Sequence, residues 1–330
     1  MLNIISDFIK GILPTKKKTT PSGWTSFNGV CCPHNGESAD TRGRGGLTAN
    51  PDGSVSYHCF NCNFKASYQP GRHLTFKFRK LLKWLGADDT DIKRLVIEAI
   101  RVRELVAPEE VKAEAEEEKI EFKARDLPED AENLVTLDYV HPALEYCVTR
   151  KIDLDKYAFY ATKQEQYNLH KRIIIPFIWQ GRTIGYTARA IEENVKPKYH
   201  SNYEPNFVFN INNQLPDSKF VIVCEGPFDA MSIDGVAVLN NECNETQADI
   251  IESLGREVIV VADRDRAGAK MINNAIEYGW TVSFPVWLET CKDVNEAVVK
   301  YGKLFVLKTI LDSKHSSKLK IELMKKKLYA

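Results

Sequence analysis

Apolar and polar positions change rhythm several times along this chain. Residues 2–12 carry apolar positions spaced for a short helix. Residues 24–68 lose that period and become rich in Gly, Asn, Asp and Ser, with only short strand-like pieces. From 74 to 104 apolar residues recur three and four apart, which predicts helix. The stretch PEEVKAEAEEEKIEFKARDLPED follows, charged and nearly free of large apolar residues, and is the best linker candidate. A new globular region starts near Tyr139. Its runs RIIIPFIWQ and RTIGYTARAI are β-rich and break at Gln180-Gly181, which predicts a hairpin. After Phe220 short strands alternate with helices: FVIVC, helix 227–234, VAVLN, helix 245–254, EVIVVA, helix 267–278, TVSFPVW, helix 293–301. That alternation predicts a parallel, helix-covered sheet. From Lys314 the chain is Lys-rich with Leu and Ile between, which predicts a basic terminal helix.

The 330 residues allow roughly two or three domains, each with its own core. Charge refines this picture. The formal net charge is zero, yet residues 1–105 hold 16 Lys and Arg against 9 Asp and Glu, 106–145 hold 4 against 13, and 146–215 hold 10 against 6. Two basic blocks split by an acidic strip point to a polyanion bound by particular regions. No apolar run is long enough to span a membrane, and the N-terminus is apolar then basic, the reverse of a secretory signal. A cytoplasmic protein with no membrane partner is expected.

Of the eight cysteines, Cys31, Cys32, Cys59 and Cys62 crowd into the first fifth of the chain, while Cys147, Cys224, Cys243 and Cys291 are scattered. Cys31-x-x-His34 and Cys59-x-x-Cys62, with 24 residues between, have the spacing of a structural zinc set of three thiolates and one imidazole. Cys32 is an alternative to Cys31. Zinc would also supply folding energy that so polar a stretch cannot raise from a core. Arg42 and Arg44 lie between the pairs, and Tyr57 and Phe60 lie near them. Charge beside flat rings suits single-stranded DNA, although the rings have an equal claim to packing the knuckle.

Carboxylates mark the α/β region. Glu225-Gly226-Pro227-Phe228-Asp229 closes FVIVC, and Asp263-Arg264-Asp265-Arg266-Ala267-Gly268 closes EVIVVA. Ligands of open parallel sheets bind beyond the carboxyl ends of strands. Asp263 and Asp265, two apart, would face one way in an extended segment, with Glu225 joining from another strand. Such a trio suits Mg²⁺, one or two ions, with Mn²⁺ an alternative. Asp229 also reads as a cap of its own loop. Asp293 is either a further ligand or the N-cap of helix 293–301.

These residues resemble the Toprim signature, and YHCFNCNF, RIIIPFIWQGRTIGYTARAI, PKYHSN, DRDRAG and KDVNEAVVKYG together resemble DnaG-type primases over residues 24–305, in a layout similar to T-even-type phage primases. The resemblance implies a multidomain α+β and α/β fold. Its parts would be a lead-in (1–23), a zinc-binding β module (24–70), a helical segment and acidic linker (71–138), a basic subdomain of the polymerase core (139–215), a Toprim domain (216–305) and a basic tail (306–330). It implies RNA primer synthesis on single-stranded DNA in the cytoplasm of an infected host. Glu225, Asp263 and Asp265 would hold Mg²⁺, and Arg172, Arg182, Arg189 and Lys198 would line the template and NTP surface. A hexameric replicative helicase would be the partner, with a single-strand-binding protein a further candidate. Asn295 departs from the pattern where the family often has Asp, and a layout without the long helicase-binding domain of bacterial relatives is expected. A Toprim nuclease or a non-catalytic recombination mediator of the RecR kind are the alternatives.

Overall fold

Helix α1 (Ile4–Ile12) forms where the apolar spacing places it and buries Ile5 and Ile9. Five short strands follow: β1 (Lys17–Thr19), β2 (Thr25–Phe27), β3 (Gly45–Ala49), β4 (Val55–Cys59) and β5 (Lys65–Tyr68). They pair antiparallel in chain order. Along β4 the strand period sends Val55, Tyr57 and Cys59 inward and Ser56 outward. Two helices complete this unit, α2 (Phe76–Trp84) and α3 (Asp89–Leu105). Thr75 caps α2 by accepting the Phe78 N–H at 3.2 Å.

The structure, a computed structural model, describes residues 3–21, 23–105, 121–137, 139–266, 268–287 and 291–329. It divides into two compact units, 1–117 with 252–255 and 118–251 with 256–330. In the first, Ile5 and Ile9 of α1, Phe78, Leu81 and Leu82 of α2, and Leu95 and Ala99 of α3 share one core with Phe27, Leu47 and Tyr57 of the sheet. The lead-in and the helical segment expected to stand apart from the cysteine-bearing module are thus built into it. Their apolar stripes have nowhere else to be buried. The acidic linker falls mainly outside the described residues.

The second unit holds two sheets. The first comprises β6 (Glu132–Asn133), β7 (Tyr160–Ala161), β8 (Arg172–Trp179), β9 (Arg182–Ala190) and β10 (Tyr199–Asn202), in the antiparallel order β10-β9-β8-β7-β6. Helix α4 (Pro142–Thr149) lies in the chain between β6 and β7. Gln180 and Gly181 both take positive φ, 49° and 77°, at the tight turn expected between β8 and β9. Ile173, Ile175 and Phe177 pack on one face and Ile174 on the other, so β8 reads as a nearly continuous apolar run.

The last sheet has the order β12-β11-β13-β14-β15. Strands β11 (Phe220–Cys224), β12 (Val236–Ala237), β13 (Glu257–Val260) and β14 (Thr281–Ser283) are parallel, as the alternating pattern predicts. They alternate with α5 (Pro227–Ile233), α6 (Glu245–Ser253), α7 (Gly268–Tyr278) and α8 (Val294–Tyr301), and α9 (Lys303–Asp312) follows. The C-terminal stretch is integrated with this domain. Strand β15 (Lys314–His315) adds antiparallel to β14, and α10 (Lys318–Tyr329) buries Ile321 and packs along α7. Among the described residues no helix is long and apolar enough to cross a membrane.

Candidate active site and metal centre

The carboxyl ends of β11 and β13 meet at a pocket of about 230 Å³. Glu225 leaves β11 and accepts the Asp263 N–H through Oε1 at 3.0 Å, which ties the two strand ends together. Asp229, in the first turn of α5, is buried and accepts the Asn295 N–H at 2.9 Å. Asp293 caps α8 by accepting the Glu296 N–H at 2.8 Å and also lines the pocket. Asp293 is thus the N-cap of α8, whereas Asp229 holds the start of α8 and does not cap its own loop.

Crowding burdens this cluster. Burial raises Glu225 to about 7, with the Asp265 charge adding to it against the Asp263 N–H. Burial, then the Asp293 charge, raises Asp229 to about 7 against the Asn295 N–H and Arg150. Burial raises Asp263 to about 9, reinforced by Asp229, Glu225, Asp293 and Asp265. Converging carboxyls that resist ionisation are the donor set a hard divalent cation satisfies. Asp265 sits differently. Its Oδ1 accepts the Gly268 N–H at 3.0 Å at the start of α7, and it does not line the pocket. The alternation rule assumed extended backbone, whereas the chain bends at 264–266.

Basic residues also line the pocket, and the sequence identifies them only in part. Arg189 and Lys198 line the pocket. Arg189 donates to the Tyr199 hydroxyl at 2.7 Å and lies 4.8 Å from that ring and 5.8 Å from Phe228. Burial lowers Lys198, and the Arg189 charge adds to this. One expectation is corrected, and one residue falls outside the pocket. Arg172 is 0% exposed and donates to the carbonyls of Tyr167 (3.1 Å), Ala188 (3.3 Å) and Lys198 (3.4 Å), so it pins loops together instead of lining a surface. Arg182 is exposed at the β8–β9 turn and lies outside the pocket, because the hairpin carries it to the far end of the strand.

Arg150 takes a place the sequence did not assign. It lines the pocket, donates to Asn295 Oδ1 at 2.9 Å, and its carbonyl accepts from Asn295 Nδ2 at 2.9 Å. The neutral side chain at 295 thus orients a cation and adds no further negative charge. No local signal could reveal a partnership across 145 positions.

In the first unit the thiols of Cys31, Cys32, Cys59 and Cys62 lie within 4.8 Å of one another, a cluster able to hold a metal ion. Cys31 and Cys62 are 3.3 Å apart and Cys32 and Cys59 3.5 Å. Four sulfurs around one zinc at about 2.3 Å would stand about 3.8 Å apart, so little movement is required. Burial raises Cys32 to about 11, whereas Cys59 is lowered because the N–H groups of Cys62 and Asn61 outweigh its burial. Gly29 must be glycine here, since a Cβ would lie 2.6 Å from Cys59 Sγ.

His34 is corrected as a ligand. Its ring stacks on Trp84 at 4.8 Å, while Cys32, buried at the start of a 3-10 turn, supplies the fourth thiol. The choice between Cys31 and Cys32 dissolves, because both converge. Arg44 is paired with Asp40 at 3.1 Å and Arg42 is exposed. Asp40 also accepts the N–H groups of Gly29, Arg42 and Arg44, which hold its carboxyl low despite burial. Tyr57 packs the knuckle, with its hydroxyl 3.3 Å from Cys31 Sγ. Phe60 is 66% exposed, with its ring 4.2 Å from that of His58.

Residues 222–298 match the family profile described as Toprim-like. Over 152 residues the chain is 26% identical to the DNA primase of Aquifex aeolicus, a match covering 40% of this chain and 30% of that protein. Similarity extends to the crystal structure of the RNA polymerase domain of Mycobacterium tuberculosis primase DnaG, with TM-score 0.47 and 16% identity over 56% of this chain and 79% of that one. It extends also to the Aquifex aeolicus primase structure with zinc-binding and RNA polymerase domains, with TM-score 0.46 and 17% identity over 94% and 83%.

Proposed function

We propose, from a Toprim-like domain related in sequence to a DNA primase, that this chain is a DNA-directed RNA polymerase that makes short primers on single-stranded DNA. The observation that carries the reading is one pocket lined both by Glu225, Asp229, Asp263 and Asp293 and by Arg150, Arg189 and Lys198. A nucleoside triphosphate bound with a divalent cation presents both charges such a pocket can take, the cation to the carboxylates and the phosphates to the basic side chains.

Glu225 and Asp263 would hold Mg²⁺, or Mn²⁺ in its place, with Asp293 beside them and Asp265 at the margin. The cation would neutralise charge on the phosphates and on the attacking oxygen. Arg150, Arg189 and Lys198 would orient the triphosphate so that a primer 3′-hydroxyl attacks the α-phosphorus and pyrophosphate leaves. The four thiols would hold one structural Zn²⁺, and Arg42 with Phe60 would meet the template. A replicative helicase, and a single-strand-binding protein, would be partners at the fork, in the cytoplasm of a phage-infected cell.

The test incubates the protein with Mg²⁺, labelled NTPs and single-stranded DNA, with and without a hexameric helicase. Template-dependent RNA that falls about 10³-fold in Asp263→Asn is expected. DNA cleavage, or DNA binding with no RNA under either condition, would transfer the reading to a nuclease or a mediator.

A further inference from the structure

The backbone of Asp263 is held on both sides of its Cα. Its N–H is taken by Glu225, inside the cluster, and its carbonyl accepts the Tyr329 hydroxyl at 2.8 Å. Tyr329 is the last residue of α10 and reaches across 66 positions to make this bond. The approach depends on Gly268, where a Cβ would lie 2.2 Å from the Asp263 carbonyl oxygen and 2.9 Å from the Tyr329 hydroxyl. Helix α10 is itself fixed, with Ile321 1% exposed and Lys325 bonded to Asn273 of α7. The helix therefore braces α7 along its length and the loop that precedes it.

We propose that Tyr329 is a positioning residue for the acidic centre: its hydroxyl fixes the Asp263–Arg264 peptide plane, and so the direction in which Asp263 presents its carboxylate to a cation. This rests on reading that cluster as a divalent-cation site. With the N–H before the Cα held by Glu225 and the carbonyl after it held by Tyr329, the Cα–Cβ bond that carries the carboxylate is fixed in direction. The geometry makes the seating of α10 a determinant of metal affinity, although no side chain of α10 lines the pocket.

Mn²⁺ binding to the full chain, followed by electron paramagnetic resonance, tests this without reference to polymerisation. Tyr329→Phe keeps the ring and removes the bond. It should raise the Mn²⁺ dissociation constant about three- to tenfold, with the melting temperature of the metal-free protein unchanged. Gly268→Ala, which wedges a methyl into the same contact, should weaken binding to a similar degree. The double variant should show less than the summed effect. Unchanged affinity in Tyr329→Phe, or fully additive losses, would overturn the proposal while leaving the cation site in place. Wild-type binding that survives Asp263→Asn would instead remove the cation reading beneath it.

Discussion

The cysteine cluster of the first unit and the carboxylate cluster of the second both converge on a point, but they are embedded differently. Cys31, Cys32 and Cys59 are members of the unit's own core, beside Phe27, Leu47 and Tyr57. Glu225 and Asp263 instead stand at strand ends, beyond a core of Ile222, Cys224, Ile259 and Val261 that is complete without them. Where ligands belong to the core, the ion and the fold stand or fall together. Where carboxylates are mounted at the end of a finished sheet, the scaffold would persist with or without an ion between them.

The largest effect expected from this contrast follows loss of the thiol site. Cys59→Ser, or a strong chelator, should unfold the first unit, since structural zinc contributes about 10 kcal/mol or more to small domains that depend on it. Near-ultraviolet circular dichroism should lose the Tyr57 and Trp84 environments while the melting transition of the second unit remains. A first unit that stays folded without its metal would erase the contrast.

A smaller, graded effect is expected at the carboxylates. Glu225, Asp229 and Asp263 titrate near 7, 7 and 9 in the fold, against about 4 in an unfolded chain. A raised carboxyl favours the fold while it is protonated. That contribution is complete below about pH 4 and is lost as pH climbs through 7 to 9. Without divalent cation the second unit's melting temperature should therefore fall between pH 6 and 9, and Mg²⁺ should restore more of it at pH 9 than at pH 6. A flat metal-free profile would mean that the cluster is not strained by its own charge.

The smallest effect concerns the surface of the first unit. Phe60→Ala should weaken single-stranded DNA binding by about 1 kcal/mol, roughly fivefold, if one base stacks there. Tyr57→Phe, altering a ring buried in the knuckle, should leave DNA affinity unchanged in anisotropy titrations. Equal losses in the two variants would mean that the effect runs through folding of the module.

What the sequence reveals divides along a similar line. The β8–β9 hairpin, the parallel strands and the acidic strand ends are local patterns, and each appears where periodicity places it. His34 and Arg172 fail for a physical reason. A Cys-x-x-His spacing fits a ligand pair, but nothing local records that Trp84 offers the imidazole a stacking partner and that a neighbouring thiol is already turned inward. A basic strand segment suggests a binding face, yet β8 is buried on both faces, so the Arg at its start is drawn into carbonyls instead. Arg150 becomes visible only when two segments far apart in the chain are brought together by Asn295.

The C-terminal strand has one more consequence. An open sheet normally offers two rows of unpaired backbone groups to any passing strand. Here β15 occupies the β14 side, and at the other end Ala237 of β12 exchanges backbone hydrogen bonds with Phe209. With both margins engaged, this sheet is a poor template for β-augmentation, whether by a partner or by a second misfolding copy. Associations with this domain should therefore be made through helices and side chains, and removal of residues 314–329 should expose the β14 edge and favour aggregation.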